Sequence, residues 1–170
     1  GIVRAHGGQI EVESAVGEGS SFILSFPAAA GGPEASHAPL GPPVEGEGVV
    51  LIVEDDDAVL SACSEMLSSL HYTPICAGSG EAAIDIYDRR KDDIDLVVLD
   101  LILTDLDGGE VFDRIRAIDP DASVLLASGY SLEGEAAGIL ERGCDDFIQK
   151  PFTIEQFSLK VENVLRRKKR

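Results

Sequence analysis

From Val49 onward, short apolar runs alternate with helix-like stripes five times, and this alternation constrains the fold more than any other feature. Val49–Val53 is a continuous apolar run, as a strand buried on both faces requires. Leu60, Cys63, Leu67 and Leu70 then form one helical stripe, with Asp56 or Asp57 placed to cap it. Thr73–Ala77 reads as a second strand, and Ser79 can cap a helix bearing Ala82, Ala83 and Ile86. Leu96–Leu99 is a third strand. Gly108 or Gly109 opens a helix with Val111, Ile115 and Ile118, stopped by Asp119-Pro120. Val124–Ala127 is a fourth strand, Ser131–Arg142 a glycine-diluted helix closed by Gly143, and Phe147–Gln149 a short fifth strand. Thr153 and Gln156 form a capping-box pattern for a last helix with Ile154, Phe157, Val161 and Val164. Strands alternating with helices predict an α/β doubly wound parallel sheet of flavodoxin-like order 2-1-3-4-5.

The first 48 residues break that pattern. In 1–26, Ile10 and Val12, then Phe22, Leu24 and Phe26, alternate with polar residues across Gly17-Glu18-Gly19, which reads as a hairpin. A lone hairpin is marginal in water, so a remnant that is disordered or loosely packed is the competing expectation. Residues 27–48 carry Pro27, Pro33, Pro39, Pro42 and Pro43 and no aromatic side chain, a composition expected of a flexible linker. The expected division is therefore a remnant at 1–26, a linker at 27–48 and a domain at 49–170. The chain does not begin with Met, and is read as a piece of a longer protein.

Charge and cysteine content exclude several function classes. With 14 Lys+Arg against 31 Asp+Glu, the chain carries −17 and repels nucleic acid and anionic lipid. The basic tail Arg166–Arg170 reads as favourable charge at a helix C-terminus. No apolar run approaches bilayer length, so no direct membrane contact and a cytoplasmic location are expected. Cys63, Cys76 and Cys144 have no metal-ligand spacing and are expected to be small, buried, reduced hydrophobes.

In an open parallel sheet, ligands bind beyond the carboxyl ends of the strands. Those ends carry Glu54-Asp55, Asp100, Ser128 and Lys150-Pro151. Crowded carboxylates favour a cation among them, and oxygen-only ligands favour Mg²⁺ over zinc. An Asp beside such an ion can act as a nucleophile toward phosphorus, while a lysine and a hydroxyl neutralise phosphoryl oxygens. Each residue also has a plainer use, as helix cap, turn residue or solvated surface group.

The stretches VVLIVEDD at 49–56, LVVLDLILTDLDG at 96–108, LLASGY at 125–130 and DFIQKPF at 146–152 resemble a response-regulator receiver domain. That resemblance implies Asp100 as phosphoacceptor, with Glu54, Asp55, Asp100 and the Ile102 backbone carbonyl around Mg²⁺. It implies Ser128 and Lys150 as the groups meeting the phosphoryl oxygens, Ser128 and Phe147 as a switch pair, and a cis Lys150-Pro151 bond. Thr104 stands where the family often has proline, and Glu54 where it more often has aspartate. Ile102 and Tyr130 occupy positions that tune phosphate lifetime in similar proteins.

Residues 1–27 resemble the end of a histidine-kinase ATP-binding domain, without its adenine-reading motif. The order kinase end, linker, receiver is that of a hybrid sensor histidine kinase. The expected partners are a phosphorylated histidine of the chain's own kinase or a histidine phosphotransfer protein, with the receiver a monomer or weak dimer. The piece is expected to catalyse only its own Asp phosphorylation and dephosphorylation, while the parent acts as kinase. Three rivals remain: a haloacid-dehalogenase-type phosphatase, a flavin module and a pseudo-receiver that only docks. The first expects a second Asp where Ile102 stands. The second needs a phosphate-cradling loop where Glu54-Asp55-Asp56-Asp57 stands. The third loses force because all five side-chain positions are present.

Overall fold

The structure is a computed structural model describing residues 2–5, 7–17, 19–27, 41–129 and 135–168. The chain divides into two units, Gly1–Pro39 and Leu40–Arg170.

The smaller unit holds a four-residue helix α1 (Ile2–Ala5) and an antiparallel hairpin of β1 (Gln9–Ala15) and β2 (Gly19–Ser25). Gly17 and Gly19 at the turn have φ of 85° and 89°, values that favour residues without a Cβ. Ile10 pairs with Leu24 and Val12 with Phe22, so the expected apolar residues share one face. Of the two expectations for this segment, the hairpin is the one observed. Both strands are exposed along their whole length, with Phe22 64% accessible.

The larger unit contains β3 (Val49–Val53), α2 (Asp57–Ser69), β4 (Thr73–Ala77), α3 (Gly80–Arg90), β5 (Leu96–Asp100), α4 (Gly108–Ile118), β6 (Val124–Ser128), α5 (Glu135–Glu141), β7 (Asp146–Gln149) and α6 (Ile154–Lys168). The sheet is parallel, in the order β4-β3-β5-β6-β7, which is the expected 2-1-3-4-5. Successive strand residues point to opposite faces, and both faces are covered. Leu51, Val53, Val97, Leu99, Val124 and Leu126 pack with Val111, Phe112 and Ile115 of α4, and with α3 and α5. Val50, Ile52, Leu96, Val98, Leu125 and Ala127 pack with Leu67 of α2 and Phe157, Val161 and Val164 of α6.

The caps explain where the helices begin. Asp56 accepts from the Ala58 and Val59 N–H groups at 2.9 and 3.1 Å, and Ser79 from Ala82. Thr153 and Gln156 exchange the two hydrogen bonds of a capping box. At α4 the cap is Asp107, one residue before the glycines. Of the expected 131–142 helix, 135–141 is helical and 131–134 lies outside the described residues, as do Tyr130 and residues 28–40.

Two expectations change. Cys63 and Cys144 are buried and all three cysteines are free, but Cys76 is exposed. It lies on β4, an edge strand with a single neighbour, where the helices leave part of the face open. Within the proline-rich stretch, residues 41–48 do not stand clear of the domain. The Val44 N–H donates to Ser158 Oγ, and the Gly46 N–H donates to the Leu70 carbonyl, both at 3.0 Å. A Cβ on Gly46 would lie 2.0 Å from the Tyr72 hydroxyl, so any side chain there would have to displace the Tyr72 ring.

Candidate functional site

Parallel strands place their carboxyl ends along one edge of the sheet, and the chain puts its polar residues there. Glu54 and Asp55 follow β3, Asp100 closes β5, Ser128 closes β6 and Lys150 follows β7. Carboxylate oxygens of Glu54, Asp55 and Asp100 all lie within 4.8 Å of one another. Lys150 donates to Asp100 Oδ2 at 3.0 Å and to Glu54 Oε2. Glu54, Asp55, Asp100 and Lys150 therefore meet, from strand ends far apart in sequence, and Ser128 closes the neighbouring strand.

Burial decides how these charges behave. Glu54 is 5%, Asp100 9% and Ser128 1% accessible. Burial pushes the Glu54 carboxyl above its ordinary range; the hydrogen bond and charge of Lys150 oppose this without cancelling it, and the charge of Asp100 adds to it. Burial alone would pull the Lys150 ammonium down, but its hydrogen bonds to Glu54 and Asp100 outweigh burial and raise it. Three carboxyl groups thus crowd around one lysine. A hard-oxygen donor set at this spacing, with no nitrogen or sulfur, fits a small divalent cation.

The surrounding backbone fixes the geometry. The Glu54 N–H donates to the Ala77 carbonyl at 3.1 Å, and the Lys150 N–H to the Ser128 carbonyl at 2.7 Å. The Lys150-Pro151 peptide is cis. The Ile102 N–H donates to Asp100 Oδ1 at 3.4 Å, which sets the Ile102 backbone beside the carboxylate while its side chain is 55% accessible. Phe147 is buried among the residues on the α3–α5 face, two positions before the Gln149–Ser128 strand pair. An open apolar groove of about 490 Å³ runs beside Lys150, lined by Val59, Cys63, Met66, Pro151 and Phe152 among others.

Two residues of the loop after β5, and the glycine that opens α4, escape a reading of the strand ends. Gly108 is held where a Cβ would approach the Asp100 carbonyl and the Leu101 Cα to 2.6 Å. Its N–H donates to the Leu101 carbonyl, closing the loop. Asp107 caps α4, and Asp105 accepts from the first turn of α3. The signal for Asp107 was an Asp directly before a helix-opening glycine pair; Asp105 has no local signal, because its partners lie 24 and 25 residues away.

The chain is similar to known proteins in sequence and in fold. The response regulator receiver domain family matches residues 50–162. Sensor kinase CckA of Brucella abortus is 30% identical over 97% of this chain, which corresponds to 18% of that protein. The probable transcriptional regulatory protein TcrX of Mycobacterium tuberculosis is 38% identical over 72% of this chain and 52% of its own length. The chain thus spans only part of these relatives. A solved receiver-domain protein from Clostridium thermocellum covers 72% of this chain and 97% of its own, with a TM-score of 0.69 at 23% identity, and shows the fold. No described helix is long and apolar enough to cross a membrane. Sequence and fold agree from β3 to α6, and the chain belongs to the response regulator receiver domain family of two-component signalling.

Proposed function

We propose that this domain accepts a phosphoryl group from a phosphohistidine onto Asp100 and changes conformation in response. The observation that carries the reading is the Asp100 carboxylate at a central strand end, 3.0 Å from Lys150 and clustered with Glu54 and Asp55. An Asp100 oxygen attacks phosphorus, a P–O bond forms and the P–N bond breaks; the departing ring nitrogen keeps the bonding pair, and the imidazole leaves neutral because its other nitrogen already carries a proton.

Asp55, Asp100 and the Ile102 carbonyl are the groups proposed to hold Mg²⁺, with Glu54 hydrogen-bonded to Lys150 and close by. Bound there, the ion supplies positive charge to the phosphoryl oxygens. Lys150 is already aimed at the acceptor, so it can move from carboxylate to phosphoryl oxygen with little rearrangement. Ser128, at the end of the adjacent strand, supplies a hydroxyl to the same group. Its movement toward the phosphoryl group, coupled to Phe147, would shift the face formed by α5, β7 and α6 between two states.

The whole-protein context is part of the same proposal. A relative named as a sensor kinase aligns along nearly the entire chain, hairpin included. This supports a hybrid kinase whose own phosphohistidine, or a histidine phosphotransfer protein, exchanges phosphoryl groups with Asp100 in the cytoplasm. The domain working as a monomer or weak dimer belongs to this reading.

The test uses beryllofluoride with Mg²⁺ on ¹⁵N-labelled protein. The expected result is a saturable change in the amide signals of Ser128, Phe147 and α5. Shifts confined to residues touching Asp100 would remove the switch, and no shift in a folded protein would remove the acceptor role.

A further inference from the structure

The loop 101–107 joins the proposed phosphoacceptor strand to α4 and carries Ile102. Its base is closed by the Gly108 N–H to Leu101 carbonyl bond at 3.0 Å and by the antiparallel bridge between Ile102 and Asp107. Its tip is fastened elsewhere. The Gly80 N–H donates to Asp105 Oδ1 at 2.9 Å, and the Glu81 N–H to Oδ2 at 3.0 Å. Both carboxylate oxygens are thus used by the two N–H groups that open α3, which have no partner within their own helix.

The contact is built from both sides. At Gly80 a Cβ would lie 2.7 Å from Val111 Cγ2 of α4 and 3.0 Å from Leu106 Cβ of the loop, so the start of α3 packs tightly against both. Glu81 then accepts two hydrogen bonds from Arg114 of α4, at 2.8 and 3.3 Å, which ties the same turn to the helix that follows the loop. The Glu81 and Gly80 N–H groups hold the Asp105 carboxyl below the usual carboxylate range. Ser79 already caps α3 through Ala82, so Asp105 is a second cap, supplied from across the molecule. Thr104, one residue earlier, leaves the backbone without a ring to restrict it.

We propose that Asp105 is a positioning residue for the divalent-cation site: by tying the loop tip to the first turn of α3, it holds the Ile102 carbonyl in place. This rests on the cation site of the proposed function. Asp105 stays clear of the ion; it restricts the loop that carries a ligand, as outer groups orient ligands at metal sites generally.

The experiment compares Mg²⁺ titrations of wild type, Asp105→Ala, Asp105→Asn and Ser79→Ala, followed by amide shifts, with hydrogen exchange of 101–107 in metal-free protein. Asp105→Ala should raise the Mg²⁺ Kd by about tenfold and speed exchange in the loop. Asp105→Asn keeps one acceptor oxygen and should fall between the two. Ser79→Ala should lower the melting temperature while leaving the Kd unchanged. An unchanged Kd in Asp105→Ala, or an equal loss in Ser79→Ala, would reduce Asp105 to a helix cap and overturn the proposal. Wild type that binds no Mg²⁺ would overturn the cation site itself, and the positioning role with it.

Discussion

Lys150 and Asp100 are 50 residues apart in sequence, yet the lysine ammonium lies 3.0 Å from the aspartate carboxylate. The contact exists because β7 and β5 end on the same edge of the sheet, either side of β6. Its consequence is a lysine whose pKa is raised, burial being outweighed by bonds to Glu54 and Asp100. A raised lysine stabilises the fold fully below its unfolded value of 10.5, and that contribution is lost as pH rises through the folded value. Lys150→Met should therefore cost about 1–3 kcal/mol at neutral pH without metal, since it leaves Glu54 and Asp100 short of a donor. Urea unfolding as a function of pH checks this: wild type and variant should converge in strong alkali.

Glu54 runs the other way. Burial raises its pKa despite Lys150, so the ionised form is disfavoured in the fold. Its favourable contribution is present below the unfolded value of 4.5 and is lost as pH rises through the raised folded value. Glu54→Gln should thus melt above wild type near neutral pH in the absence of divalent ions. The gap should close toward acid and reverse when Mg²⁺ is added. Melting curves with and without chelator decide it; a variant less stable than wild type in chelator contradicts the sign.

Gly108 has no room for a methyl group. A Cβ there would press on backbone atoms of Asp100 and Leu101, which cannot rotate away as a side-chain tip could. Gly108→Ala should destabilise the fold by about 1–3 kcal/mol and shift the Asp100 amide signal, even though no functional group is removed. Denaturant unfolding and an amide spectrum read both effects.

The strap at 41–48 offers a separate test. Ser158→Ala removes the acceptor for the Val44 N–H and should cost about 1 kcal/mol locally. Hydrogen exchange at Val44 and Gly46 should quicken, while β3 and β5 remain as protected as before. Unaltered exchange at Val44 would show that the strap is held by something other than this bond.

The fold was legible because its signals are local. Apolar runs gave the buried strands, and side chains such as Ser79 and Thr153 marked helix starts within four residues of their partners. The site was legible because strand ends converge in any such sheet, so Glu54, Asp55, Asp100, Ser128 and Lys150 could be grouped before any distance was known. What stayed hidden depends on distant partners. Asp105 reads as an ordinary loop residue until α3 is placed beside it. Gly46 reads as linker until Tyr72 is seen against it. Cys76 reads as buried until β4 proves to be the edge of the sheet. Proline and glycine told that residues 41–48 build no core, which does not prevent them from lying on one.

Intact mass after brief incubation with acetyl phosphate reads whether Asp100 accepts a phosphoryl group. Wild type with Mg²⁺ should gain a single phosphoryl adduct, lost on chelation of the metal and absent in Asp100→Asn. A folded wild-type protein that gains no adduct under fast quenching, or an adduct that persists in Asp100→Asn, would rule out Asp100 as the acceptor.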